Sequence, residues 1–462
     1  GVDDRLFAEG KIGKTLLKFS IPTIISMLVA ELYNMVDTIF VGRAIGGNGI
    51  GALIVVFPIQ RLMIALSMMI AIGSSTSIAR SNGEKDFEKL GDAIKNALSL
   101  IVVIMIPLMA ITIIFKDKVL LLLGGSENTI PYAKEYLNIV VFGFIFQCFT
   151  TCIAYIMMAL GNRKIPLIST SIGAISNVII DYILVVAIPC GIKGAAIATV
   201  ISQIISFLYA YHHFHEVIKT FNISLGFKCN KEVWLSILTI GFSAFIVEFE
   251  DGLVAAILNN LLLRYEGEIG VIVLGIISKL SMFMFINIIG VSAAMQPIAA
   301  YNVGAKNYKR LREVVKKSII AGFCSSAALW AGGLVFADKI ISIFITDPYI
   351  IAKSAKAFRI MILLFPINSM YYLSIYYFQA LGKAKTSFLV SIFRQLIILL
   401  PVSFVMLTVF DLGAMGVWIS YPISDLVSSI TSHFLMRRER NKLENKIQKQ
   451  KEKKKQKEGY SI

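Results

Sequence analysis

The sequence predicts an all-α membrane protein with twelve transmembrane helices in two six-helix bundles related by a pseudo-twofold axis along the membrane normal. Three observations lead there. The chain of 462 residues is 56% hydrophobic and only 16% charged, with a mean hydropathy of +0.75, which is too apolar for a soluble protein. Apolar runs long enough to cross a bilayer as a helix recur along nearly the whole length, and Ile101–Phe115 and Ser176–Pro189 lie within two of them. The second half also repeats the first. The alternation of a closed β-barrel is absent from the sequence, so helices must satisfy the backbone in lipid.

Spans are expected near 15–39, 50–74, 94–115, 136–159, 165–189, 193–213, 236–262, 268–294, 315–337, 357–380, 386–408 and 412–435. The first follows a polar start without a small-residue cleavage site, and reads as a retained helix rather than a signal peptide. The net charge of +16 suggests nucleic acid only until its distribution is read. Basic residues crowd alternate loops: Arg80, Lys85, Lys89 and Lys95 after span two, and Lys306, Lys309, Arg310, Arg312, Lys316 and Lys317 after span eight. The links GNRKIP and GKAKTS follow the same pattern, whereas GRAIGGNGIG and TVFDLG on the other side are poor in Lys and Arg. The positive-inside rule then places both termini in the cytoplasm, and no nucleic-acid partner is expected. The tail RRERNKLENKIQKQKEKKKQKEGYSI, with 11 basic and 4 acidic residues, reads as a solvated extension near anionic headgroups.

The five cysteines show no metal-ligand spacing; Cys148 and Cys152, four apart in span four, read as packing residues. HHFH at 212–215 has the look of a metal cluster, but it sits at the cytoplasmic end of span six and no metal is expected there.

The repeat is carried by several patches at one offset. ALGNRKIPL at 159–167 returns as ALGKAKTSF at 380–388, 221 residues later. The same offset aligns Ala79, Gly83, Lys85 and Leu90 with Ala300, Gly304, Lys306 and Leu311, and Asp117–Lys118 with Asp338–Lys339. Six helices per copy is an even number, so both copies enter from the same side and are parallel repeats. The expected division is an N-terminal lobe at 1–214, a partly amphipathic cytoplasmic linker at 215–234, a C-terminal lobe at 235–436 and the basic tail at 437–462.

An ionisable side chain at the centre of a membrane helix costs roughly 2.5–3.5 kcal/mol on insertion scales. Those that persist face a cavity, a partner or a bound ion. In the first half they are Glu31, Asp37 and Asp181, with Arg61 near a span end. Asn34 and Asp37 are three apart and expected on one face; Asn177 and Asp181, four apart, share another. Thr199 in GAAIATVIS can add a hydroxyl. Two carboxylates, amide oxygens and a hydroxyl are hard oxygen donors, suited to a small hard cation or to a shared proton; the alternative is a structural hydrogen-bond network. The second half does not repeat this set. At the same offset Asp37 faces Leu258, Asn177 faces Ile397 and Asp181 faces Pro401, while Thr199 lies close to Tyr421. That half has its own acids, Glu248, Glu250 and Asp251 in IVEFEDGLV, with Arg394 as candidate counter-charge to one of them and Lys279 to another. Asp425 reads as lying nearer a membrane edge.

The combination FSIPTIISMLVAELYNMVDTIFVGRAIG, NVIIDYILV and GIKGAAIATVIS resembles the multidrug and toxic compound extrusion (MATE) transporters, most of all their DinF-like prokaryotic branch, over residues 10–436. The resemblance implies a V-shaped secondary antiporter of a prokaryotic plasma membrane. It would export cationic or amphipathic organic compounds in exchange for Na⁺ or H⁺ by rocker-switch alternating access, with no cofactor beyond the coupling ion and membrane lipid around it. A monomer is expected. The resemblance also implies a cation site in the first half, with matches at Asp37, Tyr33, Asn177, Asp181 and Thr199, and a helix-bending proline at Pro22. Glu31, Asn34, Glu248, Glu250, Asp251 and Arg394 gain no role from it and stand as candidate cleft acids or ion pairs. A lipid-linked sugar flippase of related fold is the alternative, disfavoured because the membrane-embedded charges are mostly acidic. A membrane enzyme lacks support, since no nucleophile–base motif, metal-ligand set or nucleotide loop is present.

Overall fold

A computed structural model describes residues 5–343 and 347–460, apart from the side chains at positions 33, 47 and 268. Among the described residues there is no strand, and twelve long helices follow one another. They are α1 (Ile12–Ile45), α2 (Gly47–Gly83), α3 (Phe87–Ile114), α4 (Ile130–Ala159), α5 (Lys164–Ala187) and α6 (Ile192–Thr220). The second set is α7 (Lys231–Glu266), α8 (Glu268–Gly304), α9 (Tyr308–Ser342), α10 (Pro348–Met361 and Asn368–Ala380), α11 (Ala384–Thr408) and α12 (Ala414–Gly459). By length and composition ten of these can cross a membrane. The two that fall short are α10, broken by the 3-10 turn Phe365–Ile367, and α12, which buries Ser420, Ser424, Ser428 and Ser432 along one face. Small residues on such a face let neighbouring helices approach closely.

The duplication is imprinted in the backbone. Lys85 and Lys306, 221 residues apart, both take a left-handed conformation, with φ of 61° and 54°. Each is followed by a side-chain cap: Asp86 accepts from the Lys89 N–H at 3.2 Å, and Asn307 accepts from the Arg310 N–H at 3.3 Å. Gly161 and Gly382, in the two ALG turns, sit at φ 97° and 75°, where a side chain would be strained. The acids of the repeated Asp-Lys pair both make surface ion pairs, Asp117 with Lys134 at 2.7 Å and Asp338 with Arg359 at 2.9 Å.

The chain forms two compact units. One comprises Ile21–Phe249 with the described residues up to Glu9, and the other Gly10–Ser20 with Glu250 onward. In the first unit α2 and α7 meet backbone to backbone. A Cβ on Gly241 would lie 1.8 Å from the Met69 carbonyl oxygen, and one on Gly73 would lie 2.0 Å from that of Ile237. The segment leading into α7 is fixed to α3: the Lys228 N–H donates to Ser99 Oγ at 2.9 Å, and the Asn230 N–H to Asn96 Oδ1 at 2.8 Å. Lys228 also forms an ion pair with Asp92. These contacts draw the first half of α7 into the unit of the helices before it.

The basic tail differs from the solvated extension expected of it. It continues α12 without a break to Gly459, and its first turns pack on the second unit. Met436, Leu443 and Ile447 are buried. Glu439 pairs with Lys383 at 2.8 Å, Arg312 with Glu444 at 2.9 Å, and Gln450 donates to the Lys306 carbonyl at 2.8 Å. These positions recur every three or four residues, so one helical face is apolar enough to dock; composition had hidden that stripe beneath the lysines.

Candidate functional site

The first unit brings the predicted carboxylates together. Ser26 on α1 donates to Thr170 Oγ1 on α5 at 2.9 Å and also reaches the Pro166 carbonyl. The two helices run the same way, and eleven residues beyond that bond each presents an aspartate, Asp37 and Asp181. Asp37 faces both Asp181 and Asn177. Helix α6 closes the group from the other side. Ser202 donates to Asn177 Oδ1 at 3.4 Å, and the Ser206 hydroxyl donates to the Ser169 carbonyl at 2.8 Å. Gly173 permits this approach, since a Cβ there would sit 2.3 Å from Ser206 Oγ. Thr199, also buried, donates to the Ala195 carbonyl of its own helix at 3.1 Å, leaving its oxygen free to accept or coordinate. Immediately after Asp181, α5 loosens into the π-helical turn Tyr182–Ala187, a feature that often marks functional sites.

Asn177 and Asp181 are fully buried and Asp37 nearly so. Asp37 Oδ1, both Asp181 oxygens and Asn177 Nδ2 make no hydrogen bond of standard geometry among the described residues. Two adjacent buried carboxyls without a basic neighbour cannot both be charged unless a cation joins them. The donor set (carboxylates, an amide oxygen, a hydroxyl) therefore fits a proton or a small hard cation and fits no soft metal. Among the described residues no group of three His, Cys, Asp or Glu side chains is placed to hold a metal ion.

Other sequence candidates fall elsewhere. Asn34 is exposed while Asp37 is buried; a spacing of three turns the two about 60° apart on a helix, enough to carry Asn34 off the buried stripe. Tyr33 has its side chain outside the described residues. Pro22 lies inside α1, which continues through it from Ile12 to Ile45, so the Lys18 carbonyl loses its helical donor. Glu248 belongs to the first unit, where it pairs with Arg61 at 3.1 Å; Glu31 lies within electrostatic reach of both.

The second unit answers the same problem differently. Arg394 pairs with Asp425 at 2.8 Å, with side chains 4% and 2% exposed, and not with an acid of IVEFEDGLV. Asp425 is therefore buried within the second unit and is the acid that Arg394 takes. The guanidinium also donates to Tyr372 Oη at 3.3 Å and lies 5.0 Å from the centre of the Phe285 ring. The Tyr371 hydroxyl accepts from the Arg394 N–H and donates to the Val390 carbonyl. Glu250 and Asp251 both accept from the Gln395 amide, at 3.2 and 2.7 Å. Arg394 and Gln395 lie in the π-helical turn Phe393–Leu399 of α11, and both are buried. The extra residue in a π-helical turn shifts the helical phase, so regular α-helical spacing does not give the faces of these two residues.

Comparison with known proteins gives consistent relatives. Residues 22–183 and 253–405 match the family model MatE. Multidrug export protein MepA of Staphylococcus haemolyticus is 27% identical over 445 residues, 96% of this chain and 97% of that protein. Its counterpart in Staphylococcus aureus is 24% identical over 444 residues, 95% and 96% of the two chains. Among solved structures, MATE in complex with MaL6 superposes with a TM-score of 0.90 at 22% identity, covering 96% of this chain and 100% of that one. The outward-facing conformation of a multidrug resistance MATE family transporter of the MOP superfamily gives 0.89 at 23% identity, covering 95% and 98%.

Proposed function

The chain belongs to the MatE family, and on that premise we propose that it is a secondary active antiporter exporting cationic or amphipathic organic compounds. It is a multi-pass membrane transporter and not an enzyme. Relatives named multidrug export proteins, matched over nearly their full length, support the substrate class. The observation that carries the coupling reading is the buried pair Asp37 and Asp181, two carboxyls with unsatisfied oxygens and no basic partner among the described residues.

In this reading Na⁺ or H⁺ occupies the Asp37, Asn177, Asp181 and Thr199 group. Tyr33 lies one turn before Asp37, and Pro22 gives α1 a weak point at which to bend. Binding and release of the ion then shift α1 against α5, and the shift drives rocker-switch alternation between the two faces of the membrane. Residues 1–214 form the coupling lobe, 215–234 the connection and 235–436 the other lobe. The DinF-like branch is the one the sequence resembles most, and the Asp37, Asn177, Asp181 and Thr199 set is consistent with it. The termini lie in the cytoplasm, as the loop charges demand, and the protein works as a monomer in the plasma membrane.

The test is transport of a fluorescent organic cation into proteoliposomes, with the Na⁺ and pH gradients imposed separately. One gradient is expected to drive transport and the other not. Transport that is indifferent to both would overturn ion coupling.

A further inference from the structure

In the second unit α1 and α9 begin side by side, and both begin on lysines. Lys11, the residue before α1, and Lys14 and Lys18 within it recur at spacings of three and four, which is one helical face. Lys316 and Lys317 lie in the third turn of α9. All five are exposed. The two helices meet at Gly13: a Cβ there would lie 3.9 Å from Lys317 Cδ and 4.0 Å from its Nζ, so the glycine leaves room for the lysine stem. Gly10–Ser20 and α9 belong to the same unit, and the contact lies within it.

The five ammonium groups make no ion pair or hydrogen bond among the described residues, and Glu313, one turn before Lys317, makes none either. Nearby basic groups of this unit are matched: Arg312 by Glu444, and Lys383 and Lys442 by Glu439. Lys14 and Lys18, four apart, repel one another. Immediately beyond the lysines the same faces turn apolar and stay open. Leu17 follows Lys14 by three residues, Ile320 follows Lys317 by three and Phe323 follows Lys316 by seven, so each continues a lysine's face. Their exposures are 53%, 52% and 47%. Positive charge followed along the helix by open hydrocarbon surface is complementary to an anionic headgroup followed by an acyl chain. A free phosphate would use the lysines alone, and a neutral lipid the apolar residues alone.

We propose that the junction of α1 and α9 binds an anionic phospholipid, with its phosphate among Lys14, Lys18 and Lys317 and an acyl chain along Leu17, Ile320 and Phe323. Basic pockets between membrane helices hold headgroups of this kind. The site is distinct from the Asp37 and Asp181 group, which lies in the other unit. It goes beyond the export reading, since it concerns a lipid the protein retains and not a compound it moves.

The test uses the full chain purified in dodecyl maltoside and titrated with phosphatidylglycerol or phosphatidylcholine of the same acyl chains, with bound lipid counted by native mass spectrometry. The parent is expected to hold phosphatidylglycerol at least about tenfold more tightly. In the double variant Lys14→Gln, Lys317→Gln that preference should fall below about twofold with phosphatidylcholine retention unchanged, and Lys14→Arg with Lys317→Arg should keep it. Lys453→Gln with Lys455→Gln removes the same charge from the exposed tail and should also keep it. If the Lys14, Lys317 variant does not fold, Lys18→Gln carries the test, with a loss of about threefold expected. Equal affinity of the parent for the two lipids overturns the proposal, as does parent-like preference in the folded Gln variants. An equal loss in the tail variant overturns it too, since that marks bulk charge. So does displacement of phosphatidylglycerol by glycerol 3-phosphate at constant ionic strength, which marks a site for a free anion.

Discussion

The two units carry the two copies of the repeat, and they hold their buried aspartates in different ways. In the second, Asp425 is held by Arg394, while Glu250 and Asp251 share the neutral Gln395 amide and Glu250 Oε2 is left without a hydrogen bond among the described residues. In the first, Asp37 and Asp181 face one another with oxygens unsatisfied and no basic side chain beside them among the described residues. A buried acid matched by a fixed guanidinium cannot exchange its counter-charge. A buried acid pair without one has no fixed counter-charge, which is what the proposed coupling role requires. Duplication supplied two similar frames, and divergence gave one a buried ion pair and the other a carboxyl pair with no basic side chain beside it among the described residues.

Removing an acid from each unit separates these roles, and the largest effect is expected in the first. Asp37→Asn or Asp181→Asn should lower cation uptake by proteoliposomes about a hundredfold or more, roughly 2.7 kcal/mol, while the melting temperature holds or rises. A fall in melting temperature that parallels the loss of uptake would return the pair to a structural role. In the second unit Asp425→Asn leaves the Arg394 guanidinium buried and unmatched, and should destabilise by about 3–5 kcal/mol. Adding Arg394→Met should recover much of that, so a double-mutant cycle followed by thermal unfolding checks it; additive losses would show that the two side chains do not act as a pair.

Gly241→Ala tests the frame shared by neither site. Its methyl would meet the Met69 carbonyl, and such overpacking should cost about 1–3 kcal/mol in a melting experiment. The docked tail is a weaker contact. Glu444→Gln breaks a partly exposed pair with Arg312 and should cost about 1 kcal/mol or less, with a salt dependence to match. Smallest of all is the repeat-related pair of Asp117 and Lys134. The Lys134 ammonium holds the exposed Asp117 carboxyl below its ordinary value. Its contribution is therefore present above the unfolded-state value and lost as pH falls through the folded one. Asp117→Asn should leave the melting temperature at neutral pH unchanged within error.

Much of this was legible in the sequence because the signals were local or repeated. Apolar length marked the spans, and one offset linked Lys85 to Lys306 and Gly161 to Gly382, which the backbone bears out in matching left-handed turns. Asp37, Asn177 and Asp181 were readable as intruders in apolar helices, and the structure brings them together. The pairing of Arg394 was not readable. Four acids, Glu248, Glu250, Asp251 and Asp425, compete for it in the sequence of that half, and it lies in a π-helical turn where regular spacing does not assign the face. Asn34 failed for a related reason, since a shared helical face is about 100° wide and the buried stripe is narrower. The tail's docking stripe was masked by its lysines.

The sequence by itself determined the class of protein, the number of spans, the duplication and which residues carry charge into the membrane, because hydropathy and repeat spacing are properties of the chain alone. Only the tertiary structure decided which charge meets which. Among the described residues Glu248 goes to Arg61, Asp425 to Arg394, and Asp37 to no base but to Asp181. Partner choice depends on helix direction, on glycine crossings that set approach to within ångströms, and on single extra residues in a helical turn. An interaction that strengthens steeply over the last few ångströms in a low dielectric amplifies each of those into a different chemistry.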